Sequence, residues 1–81
     1  MPDSPLYNSA DVASRIKSCA KTKNIVLKDL LATCGLGSNT FSHMLHGRAL
    51  ASDSLALIAD QLDCSVDYLL GRTDNPDVNK L

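Results

Sequence analysis

The chain has 81 residues, of which 44% are hydrophobic and only 4% aromatic, and its formal net charge is −1. This length suits a single domain, and its core has to be aliphatic. Residues 1–8 carry two prolines and no long apolar run, so we expect neither a signal peptide nor a membrane span. We therefore expect a cytoplasmic protein. The low number of β-branched residues favours helices over strands, so the predicted class is all-α.

The apolar spacing predicts five helices in one domain. The first runs from Ser9, as N-cap, to Thr22, and Asn24 suits the left-handed residue that ends it. The second spans about 27–34, with Val26 as a poor cap. Its expected buried stripe is Leu27, Leu30, Leu31 and Cys34.

The third predicted helix starts after Gly37, as N-cap, and stops at Gly47. Ser52 and Ser65 are the expected caps of the fourth and fifth helices, and Gly71 ends the fifth. The fourth buries Leu55, Ile58, Ala59 and Leu62. We therefore expect a folded region of about 9–72, a helix-turn-helix at about 27–47, and flexible ends at 1–8 and 73–81.

The cysteines and histidines give no sign of a metal site. Cys19, Cys34 and Cys64 have no CxxC spacing and lie in or beside apolar stripes, so we expect reduced core thiols. His43 and His46 have a spacing that suits a metal but lack a third ligand nearby in sequence. No metal and no cofactor is expected.

The segment GLGSNTFS, residues 35–42, is the most informative part of the chain. The tight corner of a helix-turn-helix consists of a glycine that ends the first helix, an apolar residue, and polar residues at which the second helix begins. The helix after it has two faces. Phe41, Met44 and Leu45 are expected in the core, whereas the other face carries small hydrogen-bonding side chains, namely Ser38, Asn39, Ser42, His43 and His46.

From about Ser14 to Thr73 the chain resembles the lambda-repressor/Cro-like, or XRE-like, helix-turn-helix family. The resemblance lies in the segments SRIKS, LLATCGLGSNTFSHMLHGR, SLALIADQL and SVDYLLGRTD. It implies a compact five-helix domain whose second and third helices read the major groove of double-stranded DNA. The chain departs from the family pattern at two positions of the second helix. Leu31 stands where the family usually has a small residue, and Leu27 stands where it has a polar residue that contacts a phosphate.

The resemblance also implies which residues contact DNA. The base-reading positions match Ser38, Asn39 and His43, and positions near phosphates match Thr40, Ser42, His46 and Arg48. We also expect Lys28 to contact the phosphate backbone of DNA. Asn suits adenine and Ser or His suits guanine, although Asn39 is also a residue that favours a helix start and both histidines are ordinary surface residues.

The charge is unevenly distributed along the chain. Through Arg48 there are six basic and three acidic residues, a net +3, and the remainder carries two basic and six acidic residues, a net −4. This division is expected if only one end of the molecule faces phosphates.

These features predict a sequence-specific DNA-binding regulator, a repressor that binds a palindromic operator as a weak homodimer. The expected dimer surface is Val66, Tyr68 and Leu69 with Val78 and Leu81 in the tail, the alternative being that these residues, Leu69 above all, cover the core of their own domain. The alternative is a protein-interaction module, such as an antitoxin or anti-repressor, built on the same fold. No catalytic constellation, phosphate loop or small-molecule substrate is evident, so an enzyme is not expected.

Overall fold

A computed structural model describes residues 7–75, and within this range all the regular secondary structure is α-helical. The helices are α1 (Ser9–Thr22), α2 (Leu27–Thr33), α3 (Thr40–Leu45), α4 (Ser52–Leu62) and α5 (Val66–Leu70). The all-α prediction is confirmed. The Cα radius of gyration, 12.3 Å, is that of a small compact chain. The predicted flexible ends lie mostly outside the described residues.

Helix α1 is the centre of the packing. It contacts α3 and α5 most extensively and also touches α4. Two alanines, Ala13 and Ala20, have no exposed surface, and such small side chains let neighbouring helices approach closely. The buried stripe of α1 is Val12, Ala13, Ile16, Cys19 and Ala20.

The remaining helices add their apolar faces to the same core. The predicted stripe of α4 is confirmed, because all four of its residues are buried. No buried polar or charged side chain occurs in the described part of the chain. Besides α1 and α4, the core contains Leu30, Leu31, Phe41, Met44, Cys64 and Leu69.

Every helix ends in the same hydrogen-bonded motif. A left-handed residue follows the helix, and the next N–H donates to a carbonyl five residues earlier, which is the Schellman pattern. These N–H donors are Ile25, Leu36, Arg48, Cys64 and Arg72. The left-handed residues are Asn24, Gly35, Gly47, Asp63 and Gly71, so the ends predicted at Asn24, Gly47 and Gly71 are confirmed.

The starts of α1 and α4 differ from the prediction. Asn8, not Ser9, caps α1, because its side-chain oxygen accepts hydrogen bonds from the N–H groups of Ala10 (2.8 Å) and Asp11 (3.4 Å). Ala51 holds the cap position of α4 and Ser52 is already helical, with no side-chain cap. The predicted cap Ser65 is confirmed, since its hydroxyl accepts from the Tyr68 N–H at 3.0 Å.

Two predicted stripes are narrower than expected. In α2 only Leu30 and Leu31 are buried, while Leu27 is half-buried and Cys34 lies after the last helical residue. The prediction that Leu45 is a core residue is wrong, because 54% of it is exposed. Phe41 and Met44 point to the core, and Leu45 lies about 100° round the helix from Met44 and about 40° from Phe41, at the last position of α3.

The predicted dimer surface on α5 is also wrong in part. Leu69 has no exposed surface, and Val66 and Tyr68 are only half-exposed and pack against the core. A helix of five residues has to bury most of its apolar side chains to hold its place. Val78 and Leu81 lie outside the described residues.

The three thiols are free, as predicted, but not equally buried. Cys19 and Cys64 are buried and Cys34 is half-buried. Burial is the main cause that raises the pKa of Cys64 to about 12, and a hydrogen bond between the side chains of Cys64 and Cys19 is the second. Burial also raises the pKa of Cys34. A buried thiol that resists ionisation reacts slowly.

The raised pKa of Cys64 also makes stability depend on pH. Because this pKa is raised from 9.0 to about 12, the contribution of the Cys64 thiol to the stability of the folded protein is present below pH 9.0 and is lost as the pH rises toward about 12.

We expect native labelling with a thiol reagent to modify Cys34 first and Cys19 and Cys64 much later. Mass spectrometry of labelled peptides at pH 7 to 9 measures the order, with denatured protein as the control. Equal rates at Cys34 and Cys64 would contradict the difference in burial.

Phe41→Ala should lower the free energy of unfolding by about 3–5 kcal/mol, because it removes a buried aromatic ring. Leu45→Ala, on the same helix but exposed, should change it by less than about 0.5 kcal/mol. Urea unfolding of both variants measures the difference. Similar stability losses would show that Leu45 belongs to the core after all.

Candidate nucleic-acid interface

The corner between α2 and α3 is built by backbone hydrogen bonds. Gly35 is left-handed, with φ of 72°, and its N–H donates to the carbonyl of Ala32 at 3.1 Å. The N–H of Leu36 donates to the carbonyl of Leu31 at 2.8 Å. Leu36 packs against the core, so the chain is held where it turns from α2 toward α3.

A second turn follows before α3 begins. The N–H of Thr40 donates to the carbonyl of Gly37 at 3.2 Å, which closes a β-turn over residues 37–40. The prediction that Gly37 is the N-cap is therefore wrong, because Asn39 holds that position. Helix α3 starts at Thr40, two residues later than predicted, so Ser38 and Asn39 lie in the turn that leads into it.

The side chains of this turn have distinct roles. The hydroxyl of Thr40 donates to the carbonyl of Gly37 at 2.7 Å and so stabilises the turn. Thr40 is half-buried, and its proton is already used within the chain. Asn39 is exposed and makes no capping hydrogen bond with its side chain.

The predicted polar face of α3 is exposed. Asn39, His43 and His46 follow at i, i+4 and i+7, which places them on one side of the helix and its ends. Phe41 and Met44 are buried in the core that α1 anchors. Ser38 and Ser42 are exposed as well, so the two-faced character of this segment is confirmed except at Leu45.

Lys28 and Arg48 extend this face at its two ends. Lys28 lies in the first turn of α2 and shares a groove of about 540 Å³ with Ser38. Arg48 lines a smaller depression of about 190 Å³ together with Thr40 and His43. The fold thus places Lys28 beside Ser38 in one groove, and Arg48 beside Thr40 and His43 in the other.

Lys17 is a basic residue that the sequence did not assign to this face. Its ammonium nitrogen lies 5.5 Å from the centroid of the Phe41 ring, within the range of a cation–π contact, and it lines the same groove as Lys28. Helical periodicity on α1 indicates only that Lys17 is near the surface. A contact across 24 residues of sequence requires the packing of α1 on α3.

Leu27 takes the position where the family resemblance expects a polar phosphate contact. It is half-buried and lines the groove with Leu31 and Leu36, so the start of α2 is apolar. Any contact of this position with a phosphate has to use the backbone N–H. The charged group nearest in sequence is Lys28.

The described residues contain no group of three or more side chains that suits a metal ion. None of their helices has the length and hydropathy to span a membrane.

No family model, curated protein or solved structure matches the chain.

Gly35→Ala should destabilise the protein by about 1 kcal/mol, because a Cβ is strained at positive φ even though the surrounding space is open. Gly37→Ala is the matched control. Its φ is not positive, and its Cβ would meet only the movable side chain of Asn39, at 3.3 Å. Urea unfolding should separate the two variants, and an unchanged Gly35→Ala protein would contradict the left-handed corner.

Proposed function

We propose that this protein is a sequence-specific DNA-binding regulator of the lambda-repressor/Cro-like type. The observation that carries the proposal is the exposed polar row Asn39, His43 and His46, which directly follows a glycine corner and is backed by buried Phe41 and Met44. A short helix held in this way fits the major groove, which is about 12 Å wide.

The chemistry of the row suits base edges. The amide NH2 of Asn39 can donate to N7 of adenine and its amide oxygen can accept from the N6 amine, giving two hydrogen bonds to one base. Ser38 and His43 can donate to the N7 or O6 of guanine. Because the Asn39 side chain does not cap α3, its amide is not committed to the backbone of the helix.

Phosphate contacts fall to the residues around this row. Lys28 and Arg48 supply positive charge, and Ser42 and His46 supply hydrogen-bond donors. Lys17 joins Lys28 on the same groove. Contacts of this kind position the helix and make affinity depend on salt, whereas the bases give sequence preference.

The proposed action is repression without catalysis. A protein bound to an operator can exclude the polymerase by occupying the site. One short helix contacts only about 4 to 5 base pairs, so two copies on neighbouring half-sites of a palindrome would supply the specificity.

A protein-interaction module remains the alternative function. Leu45 is 54% exposed at the end of α3, on the helix that would otherwise face DNA, and an exposed leucine suits contact with another protein. Antitoxins and anti-repressors would use the surface in this way. Titration with DNA distinguishes the two, because only a DNA-binding protein gives salt-dependent, sequence-selective complexes.

Asn39→Ala should weaken binding to the preferred site by about 1–3 kcal/mol and relax the preference at one base pair. The preferred site is obtained by selecting bound sequences from a randomised DNA pool. Gln61→Ala, an exposed polar residue on α4, is the control and should bind as the parent does.

The measurement is fluorescence anisotropy on the selected site and on single-base variants, with thermal melting to check the fold. Equal loss on every sequence would assign Asn39 to positioning instead of base reading. Absence of any selected sequence with the parent protein would exclude the proposed function and favour the protein-interaction alternative.

A further inference from the structure

The largest groove described above has an apolar floor and a positive rim. Its volume is about 540 Å³, and its floor contains Leu27, Leu31, Leu36 and Phe41. No acidic residue is among those that line it, and the positive charges come from Lys17 and Lys28. A groove of this character suits an apolar group flanked by negative charges.

The outer face of α4 has the opposite character. Leu57 is 48% exposed although it lies in the middle of an amphipathic helix. Asp53 and Asp60 lie four residues before and three residues after it, so all three share one face. Both aspartates are exposed, and α4 contains no basic residue.

We propose that α4 of a second copy of this chain docks in the groove. Leu57 of that copy packs on the apolar floor, and its Asp53 and Asp60 face Lys17 and Lys28 on the rim. Along a helix the Cα atoms of these two aspartates are about 10 Å apart, with one on each side of the leucine.

The second copy is the occupant that the chain itself supports. The half with the groove carries a net +3 and the half with α4 a net −4, so two copies attract each other when unlike halves meet. The exposed apolar residue and its acidic neighbours are already present in the same sequence. The contact is small, so the complex should be weak and form mainly at high concentration.

Self-association through the groove requires no DNA, because both surfaces belong to the protein. Lys28 and Ser38 line the groove and also belong to the proposed DNA contacts, so a docked copy and DNA would compete for this surface.

Sedimentation velocity of the full chain without DNA, from low micromolar to about millimolar concentration, tests the proposal. Association should rise with concentration and fall with salt, since the charges are exposed. Leu57→Ser should weaken the association about tenfold or more, whereas Leu45→Ser, the matched exposed leucine, should leave it unchanged.

A charge exchange identifies the two surfaces. The groove variant Lys17→Asp with Lys28→Asp, and the α4 variant Asp53→Lys with Asp60→Lys, should each lose self-association because like charges then meet. Mixing the two variants should restore it, because each groove again meets an opposite charge. Circular dichroism checks the fold, and the single changes Lys28→Asp and Asp60→Lys repeat the exchange if a double variant unfolds.

Three results would overturn the proposal. The first is a parent protein that stays monomeric over the whole concentration range. The second is association that Leu57→Ser leaves unchanged or that Leu45→Ser weakens equally. The third is a mixture of the two folded charge variants that does not associate.

Discussion

The packing of α1 against α3, α4 and α5 is the interaction on which the rest of the molecule depends. Helices α3 and α5 have six and five residues, too few to be stable in isolation. They hold their places because α1 presents a continuous apolar stripe to them. Ala13 and Ala20 leave room in that stripe, so the core closes around Ile16 without a polar group inside it. The direction of the polar row on α3 follows from this contact.

Tight helix ends make such short helices possible. Each Schellman motif satisfies carbonyls at a helix end and turns the chain within a few residues. At two of them the left-handed residue is not glycine but Asn24 or Asp63. These two ends are linked, because the Lys23 ammonium donates to the carbonyl of Asp63 at 3.2 Å.

The ends of the described chain are also tied together. Arg72 donates to the hydroxyl of Tyr7 at 2.9 Å and pairs with Asp67 at 3.2 Å. A Cβ at Gly71 would lie 2.6 Å from the Arg15 guanidinium carbon, so α1 and the end of α5 approach closely at a glycine. Exposed ion pairs of this kind add little stability each, and the buried core supplies most of it.

The sequence by itself determined the helices, the glycine corner and the polar face of α3. Local rules are sufficient there, because apolar spacing, glycine and asparagine at helix ends, and the Ser65 cap act within a few residues. They were less reliable at helix starts, where Asn8 took the cap expected of Ser9, since neighbouring polar residues can cap equally well.

The tertiary structure alone decided which apolar residues are covered. Leu45 and Leu69 both fit apolar stripes, yet one is exposed and the other fully buried, because burial depends on whether another helix lies opposite. For the same reason only the packed chain brings Lys17 beside Phe41 and Lys28 beside Ser38.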